Sequence, residues 1–117
     1  MAYTKKARTF ARPSNQRRAL LKLLARSLIL HERISTTEAK AKALRPFIER
    51  LVTYAKKDTL ATRRFALAKL GDPVAIKKLF TVIGPRYKSR TGGYTRIVKR
   101  TKRGSNDARK LAYISFV

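Results

Sequence analysis

The sequence predicts a two-layer α+β domain, about four helices packed on a small sheet of about three strands, with an extended basic arm in front. Three observations point there. Between Pro13 and Gly84, apolar residues recur at three- and four-residue steps, the period of half-buried helices. Beyond Gly84-Pro85 the chain changes to short branched and aromatic runs, the composition of strands. The length of 117 residues, 44% of them hydrophobic, suits one small domain. The expected division is therefore an arm over residues 1–13 and a single α/β domain over 14–117.

In the arm, Lys5, Lys6, Arg8 and Arg12 lie among Tyr3, Phe10 and small residues with no helical or strand period. After Pro13, Ser14 or Asn15 can cap a first helix, in which Leu20, Leu21, Leu24 and Leu28 form an apolar stripe opposite Arg17, Arg18, Lys22 and Arg26. His31-Glu32 closes it, and Arg33 to Thr36 is branched enough for a brief strand. Thr36 or Thr37 then caps a second helix, with Glu38 in its first turn and Ala41, Leu44, Ile48, Leu51, Val52 and Ala55 on one face. Pro46 lies inside this pattern. It removes the hydrogen bond to residue 42 and biases Arg45 away from helical angles, so a kink or break is expected near 44–46.

Asp58 or Thr59 can cap a third helix reaching about Leu70. Gly71-Asp72-Pro73 supplies in order a left-handed terminator, a cap and a first helical residue. The fourth helix, carrying Val74, Leu79, Phe80 and Ile83, is expected to stop at Gly84-Pro85. Tyr94 to Val98 and Leu111 to Val117 read as strands, joined by the basic turn Lys102 to Asp107 into an antiparallel hairpin.

Charge narrows the function. Thirty Lys and Arg face six Asp and Glu, a formal net charge of +24. A chain so basic repels itself unless a polyanion compensates it, so the free protein is expected to be marginally stable and the bound one firm. The charge is also uneven. Residues 1–31 contain no acidic residue and residues 73–117 only Asp107, whereas the helical middle holds the other five acids. Without cysteine, disulfides, thiolate metal sites and thiol catalysis are excluded, and a reducing compartment is the expectation. No apolar run approaches the roughly 20 residues of a membrane span. The first dozen residues lack an apolar face and are read as mature sequence rather than as a transit peptide.

Catalysis fits poorly. His31 is the sole histidine, and its neighbour Glu32 does not face it across a helix end; no serine is tied to both. The acids are too scattered for a metal, and the glycines are wrongly spaced for a nucleotide loop. The expectation is no enzyme, no cofactor, no metal, no membrane and no small-molecule substrate.

The candidate RNA contacts fall in four groups. The first is the arm and first helix, with Lys5, Lys6, Arg8, Arg12, Arg17 and Arg18. The second is the helix start, where the amides and hydroxyls of Thr36 and Thr37 can meet an anion beside Lys40 and Lys42. The third is the stretch Gly84 to Arg96. There Arg86, Lys88, Arg90 and Arg96 can grip phosphate, Tyr94 can stack on a base, and Gly92-Gly93 can let backbone come close to a bulky ligand. The alternative for these last three is that the glycines form a strand-entry turn and Tyr94 lies in the core. The fourth group is the hairpin, with Lys99, Arg100, Lys102 and Arg103.

Taken together, these residues resemble the bacterial-type L-seventeen family of large-subunit ribosomal proteins. The likeness runs from the arginine-rich entry Arg8 to Arg18 through Ser27 to Thr37, Lys40-Ala41-Lys42, Arg45, Ala55-Lys56, Arg63-Arg64 and Lys78-Leu79-Phe80. It continues in Gly92 to Ile97 and Ala112-Tyr113-Ile114. The blocks His31 to Thr37 and Gly92 to Ile97 are the most specific. Ala2-Tyr3, Gln16-Arg17 and Ser115 depart from the family's usual residues. The resemblance implies a small α/β protein that binds large-subunit ribosomal RNA and supports its assembly near the mouth of the polypeptide exit tunnel. Its partners would be that RNA and neighbouring large-subunit proteins, in the cytoplasmic ribosome of a bacterium or the ribosome of an organelle. The rival reading is a nucleoid-type DNA-binding protein, for which neither an apolar wedge nor a convincing recognition helix is visible.

Overall fold

Helix α1 (Ser14–His31) opens the computed structural model, which describes residues 14–100 and 110–117. The arm and the turn expected at Lys102 to Asp107 lie outside the described residues. After α1 come β1 (Arg33–Thr37), α2 (Glu38–Lys56), α3 (Leu60–Leu70) and α4 (Pro73–Lys78). A π-helical turn (Leu79–Ile83), the short α5 (Gly84–Arg86), β2 (Thr95–Lys99) and β3 (Leu111–Phe116) complete the order. The helices pack on one side of a three-stranded antiparallel sheet, the α+β architecture the periodicities predict.

α2 is the centre of the packing. Leu44, Ile48 and Val52 are fully buried and Leu51 nearly so, each stabilising the fold by about 1.5–3 kcal/mol through burial. Thr37 caps α2, its hydroxyl accepting from the Lys40 amide at 3.3 Å. The helix does not break at Pro46. Pro46 and Lys42 both lie on its exposed side, so water can satisfy the carbonyl that the proline leaves unbonded.

α1 buries Ala25, Leu28 and Ile29, a face one step round from the leucine stripe. Leu21 and Leu24 only flank the core. Thr59 and Thr62 cap α3 reciprocally, and Gly71 ends it at φ 76°. Asp72 accepts from the Val74 amide at 3.1 Å, with Pro73 in the first turn of α4.

The expected stop at Gly84-Pro85 is overturned. Helical structure runs on to Arg86 because the backbone widens into a π-turn, in which the Gly84 amide reaches back to the Leu79 carbonyl. The wider turn carries the chain past a proline that has no amide to give. Gly84 also sits directly on α2: a Cβ there would lie 2.6 Å from the Ala55 carbonyl oxygen.

The strand order is β1-β3-β2, so β3 is the middle strand. Ile34, Ile114 and Ile97 stand in one register row facing the helices. The residue after β3 is pinned at both ends, since the Val117 amide donates to the Tyr94 carbonyl at 2.9 Å and its carbonyl accepts from the Tyr87 hydroxyl at 2.5 Å.

Candidate nucleic-acid interface

Five of the six carboxylates lie among the described residues, and each is paired with a Lys or Arg of the same chain. Glu32 holds Arg86 at 2.6 Å and Lys78 at 3.2 Å; Glu38 holds Lys42 at 3.0 Å and Lys99 at 3.5 Å. Arg45 pairs with Glu49, Arg63 with Asp58 and Arg26 with Asp72. Hydrogen bonding from Arg86 and then Lys78 keeps the Glu32 carboxyl below the usual carboxylate range, and Lys42 does the same to Glu38. Arg63 lowers Asp58, and Arg26 lowers Asp72. The acids are thus spent on internal contacts, and the excess of cations faces outward.

The structure separates the candidate residues into different surroundings. Lys5, Lys6, Arg8, Arg12, Lys102 and Arg103 lie outside the described residues. Arg18, next to Arg17 near the start of α1, stands exposed. With Lys22 and Lys69 it rims a groove floored by Leu21, Phe47 and Ala68. At the start of α2, intramolecular partners already occupy much of the expected anion site. The Thr37 hydroxyl caps Lys40, the Glu38 amide donates to the Lys110 carbonyl at 2.8 Å, and Lys42 and Lys99 share the Glu38 carboxylate. Thr36 is half-buried beside them in β1.

In the stretch before β2, Tyr94 corrects the base-stacking expectation. It is only 3% exposed, its ring lies 5.4 Å from that of Tyr87, and its hydroxyl accepts from Lys56 at 2.8 Å. Burial gives the ring to the core, the alternative weighed from the sequence. Lys56 also donates to the Arg90 carbonyl, and the Arg90 Nε donates to the Gly92 carbonyl at 3.0 Å. The loop is therefore held from beneath by Tyr94 and Lys56. Gly93 adopts φ 62°, a conformation that favours glycine, whereas open space surrounds Gly92. Arg86 is committed to Glu32, and Lys88 projects from the turn after α5.

Arg96 and Arg100 come together with residues that the sequence reading missed. Side chains alternate across a strand, and directly paired residues share a face. The rows Arg33, Ser115, Arg96 and Ser35, Tyr113, Val98 therefore stand on the sheet face turned away from α2, with Leu111 beside Tyr113. Arg33, Ser35, Arg96 and Val98 are exposed there, and no described helix covers them. The Arg33 guanidinium sits 3.9 Å from the Tyr113 ring centre and that of Arg100 5.0 Å from it; Arg100 also donates to the Ser35 hydroxyl at 2.9 Å. The missed signal was the period-two alternation Arg33-Ile34-Ser35 and Tyr113-Ile114-Ser115, which places polar residues on one face of each strand.

The basic surface, the fold and the order of the motifs find their counterpart in known proteins. A model of the family described as ribosomal protein L17 matches residues 20–117. The chain belongs to the ribosomal protein L17 family. Among its relatives is the large ribosomal subunit protein bL17 of Hydrogenobaculum sp. (strain Y04AAS1), 56% identical over all of this chain and 99% of that protein. The bL17 proteins of Thermomicrobium roseum and Sphingopyxis alaskensis are 51% and 49% identical over all of this chain, covering 99% and 84% of those proteins. L17 membership makes the chain a structural constituent of the large ribosomal subunit and not an enzyme. Within the L17 fold, the residues above become candidates for contact with ribosomal RNA. Among the described residues no helix is long and apolar enough to cross a membrane.

Proposed function

We propose that this L17 protein binds large-subunit ribosomal RNA directly and helps that subunit assemble, in a cytoplasmic ribosome. We also place it near the mouth of the polypeptide exit tunnel, beside other large-subunit proteins, on the strength of the family resemblance. The observation that carries the RNA reading is the charge arrangement. The chain carries a net charge of +24, and among the described residues every side-chain carboxylate is already taken up by an internal pair, which leaves an excess of exposed cations. Exposed cations spread over α1, the loop before β2 and the open sheet face suit several RNA segments at once, so specificity comes from shape more than from base edges.

Sucrose-gradient fractionation of a native lysate tests this. The chain should sediment with the large subunit and be released by ribonuclease but not by deoxyribonuclease. Sedimentation away from the subunit, or release by deoxyribonuclease alone, would overturn it in favour of a DNA-binding role.

A further inference from the structure

The open face of the sheet carries three arginines, Arg33, Arg96 and Arg100, and no carboxylate among its described residues. Arg33 and Arg96 pair with the same residue, Ser115, from opposite sides, so two like charges flank one position of the middle strand. Such an arrangement opposes folding of the free protein and is relieved when an anion lies over the face. Tyr113, on the middle strand, gathers two of the three. It lies within 3.9 Å of the Arg33 guanidinium from β1 and 5.0 Å of the guanidinium of Arg100, the residue after β2. Stacking on a ring fixes the plane of a guanidinium while leaving its N–H edge free to meet an anion's oxygens. The Ser35 and Ser115 hydroxyls add neutral donors in adjacent rows.

We infer that this face is a clamp for the phosphodiester backbone of structured RNA, in which Arg33, Arg96 and Arg100 contact phosphate and Tyr113 is a positioning residue for Arg33 and Arg100. This rests on the ribosomal-RNA reading above and assigns it a surface of its own. The backbone is favoured over an unpaired base because guanidinium groups already lie on the Tyr113 ring, where a base would have to stack. Charge complementarity favours RNA over a protein occupant, since the face offers three cations against the apolar side chains Val98 and Leu111.

The test uses the full chain and three probes: a large-subunit ribosomal RNA transcript, a short RNA hairpin and oligouridylate, each titrated across a range of salt. Exchanging both Arg33→Gln and Arg100→Gln should weaken transcript binding roughly tenfold near physiological salt and reduce the log–log salt slope by about two. Tyr113→Leu should weaken binding several-fold while keeping most of the slope, because the charges remain. Tyr113→Phe should bind as the parent does. In the chain that already lacks both arginines, Tyr113→Leu should add nothing, a result that a merely structural role would not give.

Parent-like affinity and slope in the double arginine variant, with the parent still binding the transcript, would overturn the clamp and leave the ribosomal-RNA reading standing. Failure of the parent to bind the transcript would remove both. An additive loss from Tyr113→Leu in the arginine-free chain, or a preference for oligouridylate that Tyr113→Leu abolishes, would make Tyr113 a base-stacking residue and sink the clamp. Should Tyr113→Leu fail to fold, the variant lacking Arg33 and Arg100, neither of them a buried residue, still decides the matter.

Discussion

At the end of α1 the backbone passes through φ 64° at Glu32, a left-handed conformation that costs a residue with a side chain roughly 1 kcal/mol. Its amide donates to the Leu28 carbonyl at 2.6 Å, the bond that terminates a helix in this way, and its carbonyl accepts from Phe116 at 3.2 Å. Its carboxylate then reaches Lys78 and Arg86, so one residue ties α1 to β3 and to the helical segment after α3. Because the partners lower the Glu32 pKa, the folded form takes up a proton less readily than the unfolded chain. The stability this contributes is complete above the ordinary carboxylate range and disappears as pH falls through that range and below it. Glu32→Gln should cost about 1 kcal/mol at neutral pH, a modest figure because the pairs are partly exposed. Melting followed between about pH 6 and pH 3 should show a smaller acid-induced decline in the variant than in the parent. Parallel curves for the two would mean the carboxylate is not a stabilising partner.

Among the elements, the π-turn at Leu79–Ile83 is where local sequence rules and the fold part company. Gly84-Pro85 has the composition of a helix end, and nothing within a few residues of it says otherwise. What keeps the helix going is Ala55, almost thirty positions earlier, against whose carbonyl only a residue without Cβ fits. Gly84→Ala should therefore destabilise the protein by about 1–3 kcal/mol, since the new methyl meets backbone that cannot rotate away. Gly92→Ala, in open space, is the control. Equal melting temperatures for the two would show that α2 and the turn can separate without cost. The same division runs through the rest of the chain. The caps at Thr37, Thr59 and Asp72 and the buried stripe of α2 were legible because each depends on residues two to four positions away. The burial of Tyr94 and the meeting of Arg33 with Tyr113 were not, because they depend on the pairing of distant strands. The candidate arginines Arg96 and Arg100 were visible as charges, but their shared face with Tyr113 emerges only from the register.

Taken whole, the molecule sets a small core against a large unbalanced charge. A polyanion that binds only the folded form should raise its melting temperature. At a concentration 100 times its dissociation constant the gain is about 2.7 kcal/mol, whether or not the polyanion carries bases. Heparin, compared with sodium chloride at equal ionic strength, is the direct check; no rise in melting temperature would mean that the folded surface does not concentrate the charge. The strand order adds a constraint in time. β1 and β2 never touch each other, and both bond to β3, the last of the three to be synthesised. Until residue 111 and those after it have been made, Arg33 and Arg96 belong to strands with no common neighbour, and the surface they share does not exist. A chain cut short before Leu111 could build most of its helical layer and still be unable to present that surface. The middle strand thus makes synthesis of residues 111–116 a condition for its use.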